Sequence, residues 1–457
     1  MSPLCVAVTA LALAPAGCAG GTKAGGADRH PTVVLTIANH QNDDSDLKEY
    51  IAAVNRLSQG SIKLELRQGW RAQDADYDQG TVADVRADRV DLAKLDVHSL
   101  DKLGVDGFQA VTAPFLIDGL SLEDELLAGE LPGQMLPSVS RLRVEGLAML
   151  PGELTRPFGL SRQLVKLSDY RDAVIGITPS ILSARTFRAL GASPREYRAG
   201  ELVPYVFGGA ELGLATIEGN AYDTEGSSLT ANVAFWPDMF LVVANRQVLA
   251  KLTPGERKIL QKAGSEALAP AIARLRNQNR VETDVLCQSG RMSFVTATGL
   301  ELASLHAAVR PVYAQLERNA RTRSFIGDIE AMKRRSSPEQ AIPCSAPPPP
   351  QRAATLLDGI WEMTASSAVA GTDVDTGHYR LILRRGRADL FHLSPPLRWA
   401  DSGVFTVRGD RVFFRSPGGY GVYRWNLFRD TLTFRYVPGK EEGAPNLTYG
   451  PWHRVSG

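Results

Sequence analysis

At 457 residues the chain is long enough for about three domains, and a hydrophobic content of 44% suits packed cores rather than disorder. Lys and Arg number 51 against 50 Asp and Glu, a formal net charge of +1. That balance argues against the basic surfaces that bind nucleic acid or anionic membranes, and past Gly21 no apolar run reaches transmembrane length.

The run from Leu4 to Ala14 is too short to span a bilayer and has the length of a signal-peptide hydrophobic region. Small residues then lead to Cys18, and residues 22–31 read as a tether, so residues 1–31 are assigned to signal and tether. A strand is expected at Val33–Ala38. A helix follows, capped by Ser45, with Leu47, Tyr50, Ile51, Val54 and Leu57 on one face. Ile62, Leu64 and Leu66 alternate as in a half-buried strand, residues 75–89 read as a helix, and Val90–Ala93 as a short strand. This β-α-β-α-β order is that of an α/β sheet. The alternation returns with a strand at Asp172–Ile177, a helix at Leu182–Leu190 stopped by Gly191, and an apolar strand at Met239–Ala244. Thr253-Pro254-Gly255-Glu256 is a capping box with proline at the first helical position. It opens a long helix to about Glu282, and another is expected over about Leu300–Asn319.

The globular pattern stops near Arg335. Residues 336–354 contain Pro338, Pro343 and Pro347 to Pro350 and read as a semi-rigid linker between a unit at 32–335 and one at 355–457. The last unit is rich in aromatic residues and turn glycines; Tyr379, Leu381 and Leu383 alternate, as do Val404, Thr406 and Arg408. A small all-β barrel or sandwich is expected. Of the four cysteines, Cys5 would leave with the signal. Cys287 and Cys344 are either one disulfide in an oxidising compartment or two lone buried thiols.

The approach to Cys18 resembles a bacterial lipoprotein signal, which implies export and a lipid anchor on Cys18. The stretch Leu167-Ser168-Asp169-Tyr170-Arg171-Asp172-Ala173-Val174-Ile175-Gly176-Ile177, followed by Phe187-Arg188-Ala189-Leu190-Gly191, resembles the DctP-type solute-binding subunits of TRAP (tripartite ATP-independent periplasmic) transporters. Arg89-Val90-Asp91-Leu92-Ala93, Ala113-Pro114-Phe115-Leu116, Leu214 to Glu225 (as a strand and turn) and Val242-Val243-Ala244-Asn245 match further elements in order, over about residues 32–335. The resemblance implies a two-lobed α/β fold of the periplasmic-binding-protein type (type II). It also implies closure over a small organic ligand, an organic acid in the usual case, and delivery to a TRAP-type membrane permease. Asp358-Gly359-Ile360-Trp361 at the start of the last unit and Arg454 at its end resemble the ends of a lipocalin-like barrel, in which Trp361 and Arg454 would stack.

One position departs from the family pattern. The arginine whose guanidinium grips the ligand carboxylate in these proteins falls on Gly176. Arg156 is either its substitute or a solvated loop cation. Asn245 would hydrogen-bond ligand or cap a strand end. Trp236 and Tyr222 would line a pocket wall or belong to the core, and Glu225 would accept from a ligand or face water. The seven histidines show no metal-ligand spacing, Asp74 to Val85 lacks the glycine and glutamate of a calcium loop, and no phosphate loop or nucleophile elbow occurs. A binding protein without cofactor is therefore expected, not an enzyme. The rival reading is a transport-inactive envelope lipoprotein whose receptor fold and β-domain contact proteins or lipid-like ligands.

Overall fold

The computed structural model describes residues 32–455 except 73, 75, 198–205, 221, 226–227, 290–291, 337–340, 343, 345–353, 366–375, 394–397, 417–418, 438–444 and 449. The signal with Cys18, and most of the linker, lie outside the described residues.

The first lobe is built on a five-stranded sheet in the order Ile62–Arg67, Val33–Ala38, Leu92–Asp96, Phe240–Asn245, Val144–Leu150. The first three strands are parallel, joined by the helices Lys48–Leu57 and Tyr77–Arg86. Phe240–Asn245 returns from the other lobe and runs antiparallel to both neighbours. Its six residues are all buried, as a central strand covered on both faces requires. The expected Ser45 cap is not formed. Ser45 turns its backbone N–H and hydroxyl to Asp43, and the helix begins at Lys48 without a side-chain cap, held by Tyr50, Ala53 and Val54 in the core.

The second lobe carries a sheet in the order Ser293–Val295, Ser228–Thr230, Leu154–Gly159, Gly209–Leu212, Val174–Ile177, Ser193–Glu196, with Trp236–Pro237 paired to Leu154 and Thr155. Leu214 to Glu218, expected as strand, is helix (Leu214–Gly219), and the strand lies just before it. The cause is a distant carboxylate. Glu153 accepts from the backbone of Ala215 at 2.8 Å and Thr216 at 3.3 Å, satisfying N–H groups that a helix start leaves open.

The capping box opens the long helix as expected: Thr253 N–H donates to Glu256 at 2.7 Å and Glu256 N–H returns to the Thr253 hydroxyl at 3.2 Å. The helix continues past Glu282 to Ser289 and packs on Lys48–Leu57 in one lobe and Leu214–Gly219 in the other, spanning both. The helix expected at Leu300–Asn319 is two, Gly299–Ala308 and Arg310–Leu316. Pro311 has no N–H to continue the first. Cys287, near the end of the long helix, forms a disulfide with Cys344, with a Cα–Cα distance of 5.6 Å. Ile342 packs on the second lobe, so this part of the linker is pinned to the receptor. Among the described residues no helix is long and apolar enough to cross a membrane.

The last unit is a closed eight-stranded antiparallel barrel, not a sandwich. Its strands follow chain order from Gly359–Ala365 to Trp452–Arg454, which pairs back to the first. Alternate side chains, among them Trp361, Met363, Leu381, Leu383, Tyr423, Leu432 and Trp452, fill the interior. Trp361 stands opposite Arg454, whose guanidinium lies 4.3 Å from the indole and donates to the carbonyls of Asp358 and Leu356. A Cβ at Gly359 would sit 2.8 Å from that guanidinium, so a larger residue there would displace it from its seat. Arg415 of the barrel pairs with the Glu218 carboxylate and donates to its carbonyl at 2.8 Å, joining the barrel to the second lobe.

Candidate functional site: the cleft between the lobes

The chain crosses between lobes at residues 151–153 and 238–239. The crossings pack so closely that a Cβ at Gly152 would lie 1.8 Å from the Asp238 carbonyl oxygen, and Asp238 N–H donates to the Glu153 carbonyl at 2.8 Å. In the first sheet, Leu150, Phe240 and Asp96 share one end, which is the carboxyl end of the parallel strands. In the second, Leu154 and Leu212 mark the matching end, near Ile177. Both sheets therefore turn their carboxyl ends toward the crossings, the place where open α/β sheets bind ligands.

The first lobe supplies charged groups there. Lys94 is buried, with Nζ 2.5 Å from Asp46 and 3.4 Å from Asp96. Burial opposes its charge, but those two carboxylates outweigh burial and raise its pKa. Burial works against Asp96 as well, yet Lys94 and His40 hold it below the usual carboxylate range. Asp96 accepts from the Tyr77 hydroxyl at 2.7 Å, and His40 stacks on Tyr77 at 4.3 Å. Burial lowers the His40 pKa, so the ring is neutral near pH 7. Asp78 accepts from the Ser99 hydroxyl through one oxygen, and burial followed by repulsion from Asp96 raises its pKa well above normal.

The crossings and the second lobe add Glu153, Asp238 and Glu211. Burial raises all three, with Asp96 adding to the effect at Asp238. Glu211 is pushed up to about 8, although Thr178 N–H and hydroxyl (both 3.1 Å) and the Ser183 hydroxyl (2.9 Å) donate to one of its oxygens. Burial, followed by the charges of Tyr222, Glu211, Asp238 and Glu153, raises the Tyr197 pKa well above normal. Asp101 of the first lobe reaches across the seam. It accepts from the Ser180 hydroxyl at 3.1 Å, Ile181 N–H at 3.0 Å and Leu182 N–H at 2.7 Å, capping the helix Ile181–Ala189 of the second lobe. Lys102 pairs with Glu196 across the same seam at 3.0 Å.

Arg156 is buried at 4% exposure, paired in register with Leu212 at the cleft end of its strand, and is no solvated loop residue. Gly176 pairs with Ala210, one position short of Glu211. Tyr222 is buried in the second-lobe core. Trp236 is fully buried against Phe187, Phe235 and His98 and belongs to the core. Asn245 is corrected. Its side chain caps the helix Arg246–Lys251 through Gln247 and Val248 N–H and donates to the Val85 carbonyl. It sits at the far end of its strand from the crossing, about 17 Å away. The Glu225 side chain lies outside the described residues. Sequence reading missed Lys94, Asp96, Glu211 and Asp238. The available signal was a charge set inside an apolar strand, as in Leu92-Ala93-Lys94-Leu95-Asp96 and Gly209-Ala210-Glu211-Leu212. Among the described residues no group of His, Cys, Asp and Glu is arranged to hold a metal ion.

Two lobes hinged over a polar cleft define a periplasmic-binding-protein-like receptor. The model of the bacterial extracellular solute-binding proteins of family 7, DctP, matches residues 36–319, and the chain belongs to that family. Solved structures of TRAP periplasmic solute-binding proteins share the fold. One from Roseobacter denitrificans, with bound β-D-glucuronate, is 16% identical at a TM-score of 0.57, covering 65% of this chain and 99% of that one. One from Shewanella oneidensis, with bound succinate, is 17% identical at 0.58, covering 66% and 99%. One from Pseudomonas aeruginosa, with bound L-malate, is 18% identical at 0.54, covering 62% and 99%. No curated protein sequence matches the chain.

Proposed function

We propose that the protein is the extracytoplasmic capture subunit of a TRAP-type transport system, closing its lobes on a small organic solute and presenting it to a membrane permease. The carrying observation is the cleft itself. Both sheets aim their carboxyl ends at it, and Asp101 caps a helix of the opposite lobe across it. A solute bound there adds contacts to both lobes and favours the joined state. The related structures hold small acids, which supports a ligand of that size class. Arg156 and Tyr222 are the proposed wall residues from the sequence, with Glu225 as a further ligand contact.

Cys18 carries the proposed lipid anchor, and the lipocalin-like barrel is tethered beside the receptor. The test is a thermal-shift screen of metabolites on the full chain, since a ligand that binds only the folded receptor raises the melting temperature. Stabilisation with a fall in the X-ray scattering radius is expected; no stabilising compound would refute capture. Gly176 and the fused barrel favour the second reading, a transport-inactive envelope lipoprotein. That reading requires that no permease accept the loaded protein in a reconstituted uptake assay.

A further inference from the structure

We propose that one end of the β-barrel is a docking surface for an anionic lipid bilayer. The barrel strands run up and down in chain order, so alternate connections lie at the same end. Three two-residue turns share one end: Arg384-Arg385-Gly386-Arg387, Arg408-Gly409-Asp410-Arg411 and Phe428-Arg429-Asp430-Thr431, each closed by pairing of its outer residues. Backbone contacts link them into a rim. Asp358, before the first strand, accepts from Arg385 N–H at 2.5 Å. The Gly386 carbonyl accepts from Phe405 N–H at 2.7 Å, the Asp410 carbonyl from Trp425 N–H at 3.0 Å and the Asp430 carbonyl from Arg454 N–H at 2.8 Å. Arg454 completes the ring by donating to the Asp358 carbonyl at 3.1 Å.

The three turns hold six arginines against two aspartates. Arg384, Arg385, Arg408, Arg411 and Arg429 are exposed with the receptor in place. Turn geometry does not call for them. Arg385 and Arg429 have φ of +48° and +53°, a region that glycine and asparagine enter more readily. By sequence, the connections that join strands at the opposite end carry Asp373, Asp375, Glu441 and Glu442 against Lys440. Arg415, which pairs with Glu218 of the receptor, lies along its strand from Arg411 toward that opposite end. The chain's overall charge of +1 therefore conceals a barrel with one basic end.

The same rim is apolar at its tips. Of the six large hydrophobic side chains exposed among the described residues, Leu356 (72%) and Phe428 (68%) belong to it. Arg454 donates to the Leu356 carbonyl, and the Arg429 guanidinium lies 5.4 Å from the Phe428 ring. Cations beside exposed apolar side chains suit a membrane interface, where the charges meet anionic head groups and the apolar tips enter the acyl boundary. A soluble acidic partner would use the arginines but gives no reason for a phenyl ring held in water. The family is extracellular, away from nucleic acid. This surface is separate from the lipid proposed on Cys18, so it should act in the unlipidated protein.

The experiment uses the chain without residues 1–21, which keeps every described residue and removes the proposed anchor. Co-sedimentation with phosphatidylcholine vesicles, with and without about one third phosphatidylglycerol, is measured at about 0.1 M and about 1 M salt, where screening lengths are roughly 10 Å and 3 Å. We expect binding to the anionic vesicles that weakens at high salt and is much lower on phosphatidylcholine alone. Arg384→Gln, Arg411→Gln and Arg429→Gln together should weaken it about a hundredfold. Phe428→Ser should weaken it about tenfold. Exchanging three exposed receptor cations, Arg188, Lys258 and Arg318, for glutamine should leave it unchanged. Near-ultraviolet dichroism equal to wild type shows that each variant is folded. No binding to anionic vesicles, or equal losses from the barrel and receptor triples, would overturn the proposal. Binding of soluble dextran sulfate with the same arginine dependence, but no vesicle binding, would overturn the bilayer in favour of a soluble polyanion.

Discussion

Glu211 shows how one buried side chain couples stability to pH. Its carboxyl is nearly fully buried and titrates at about 8 in the folded protein, against 4.5 unfolded. The unfolded chain gives up this proton near 4.5 and the folded one holds it to about 8, so stability falls as pH rises between those values and the loss is complete above 8. Glu211→Gln should flatten that part of the profile. At pH 9 it should exceed wild type by about 1–3 kcal/mol in urea unfolding, and an unchanged slope between pH 5 and 8 would show that Glu211 is not the group responsible. Trp361 and Arg454 are a second residue-scale case. The guanidinium both stacks on the indole and caps two carbonyls of the preceding turn. Arg454→Ala should cost the barrel about 0.5–2 kcal/mol through the stack, plus the two lost hydrogen bonds. Only the stacking part should shrink in a Trp361→Leu background. A double-mutant cycle with zero coupling would refute the stack while leaving barrel closure intact.

At the scale of elements, the seam between the lobes depends on a helix start. The helix Ile181–Ala189 takes its cap partly from its own Ser180 and partly from Asp101 in the other lobe. Asp101→Ala removes that outside acceptor. The joined state should lose about 1–2 kcal/mol, read as a larger scattering radius without ligand and an affinity lower by a factor of roughly 5–30. Equal radii for variant and wild type would mean that the cap does not hold the lobes. The disulfide ties the linker to the long helix over a sequence separation of 57 residues. Chain-entropy reasoning gives an upper value of about 4 kcal/mol for a loop of that length. The Cys287→Ser, Cys344→Ser pair should therefore unfold at lower denaturant, and a midpoint equal to wild type would show that the closed loop adds nothing.

The whole molecule is a receptor and a barrel joined by a proline-rich stretch, with Arg415 and Glu218 pairing between them. Because the disulfide pins Cys344, the proteolytic window should be shorter than the full linker. Limited trypsin digestion should cut first at Arg352, between Cys344 and the barrel's first strand. It should release a barrel fragment that keeps its near-ultraviolet dichroism. Early cuts inside residues 32–335 or 359–455 would contradict this division.

Local chemistry made much of this fold legible in the sequence. Alternating and 3.6-period apolar patterns placed Val33–Ala38, Ile62–Arg67 and two of the barrel strands, and the Thr253 capping box placed the long helix, because neighbours in sequence supply those forces. The ends of the last unit, Gly359, Trp361 and Arg454, pointed to closure for a similar reason: the pair needs only adjacent first and last strands. Tertiary structure decided what depends on distant partners. Glu153 turned Leu214–Gly219 into a helix, and Asp43 took Ser45 away from its expected cap. Asn245 became a cap at the far end of its strand from the crossing. The cleft was the least legible part. Lys94, Asp96, Asp238 and Glu211 come from separate stretches of chain, and their pKa values follow from burial and mutual charge, which exist only after both lobes have packed around the same crossing.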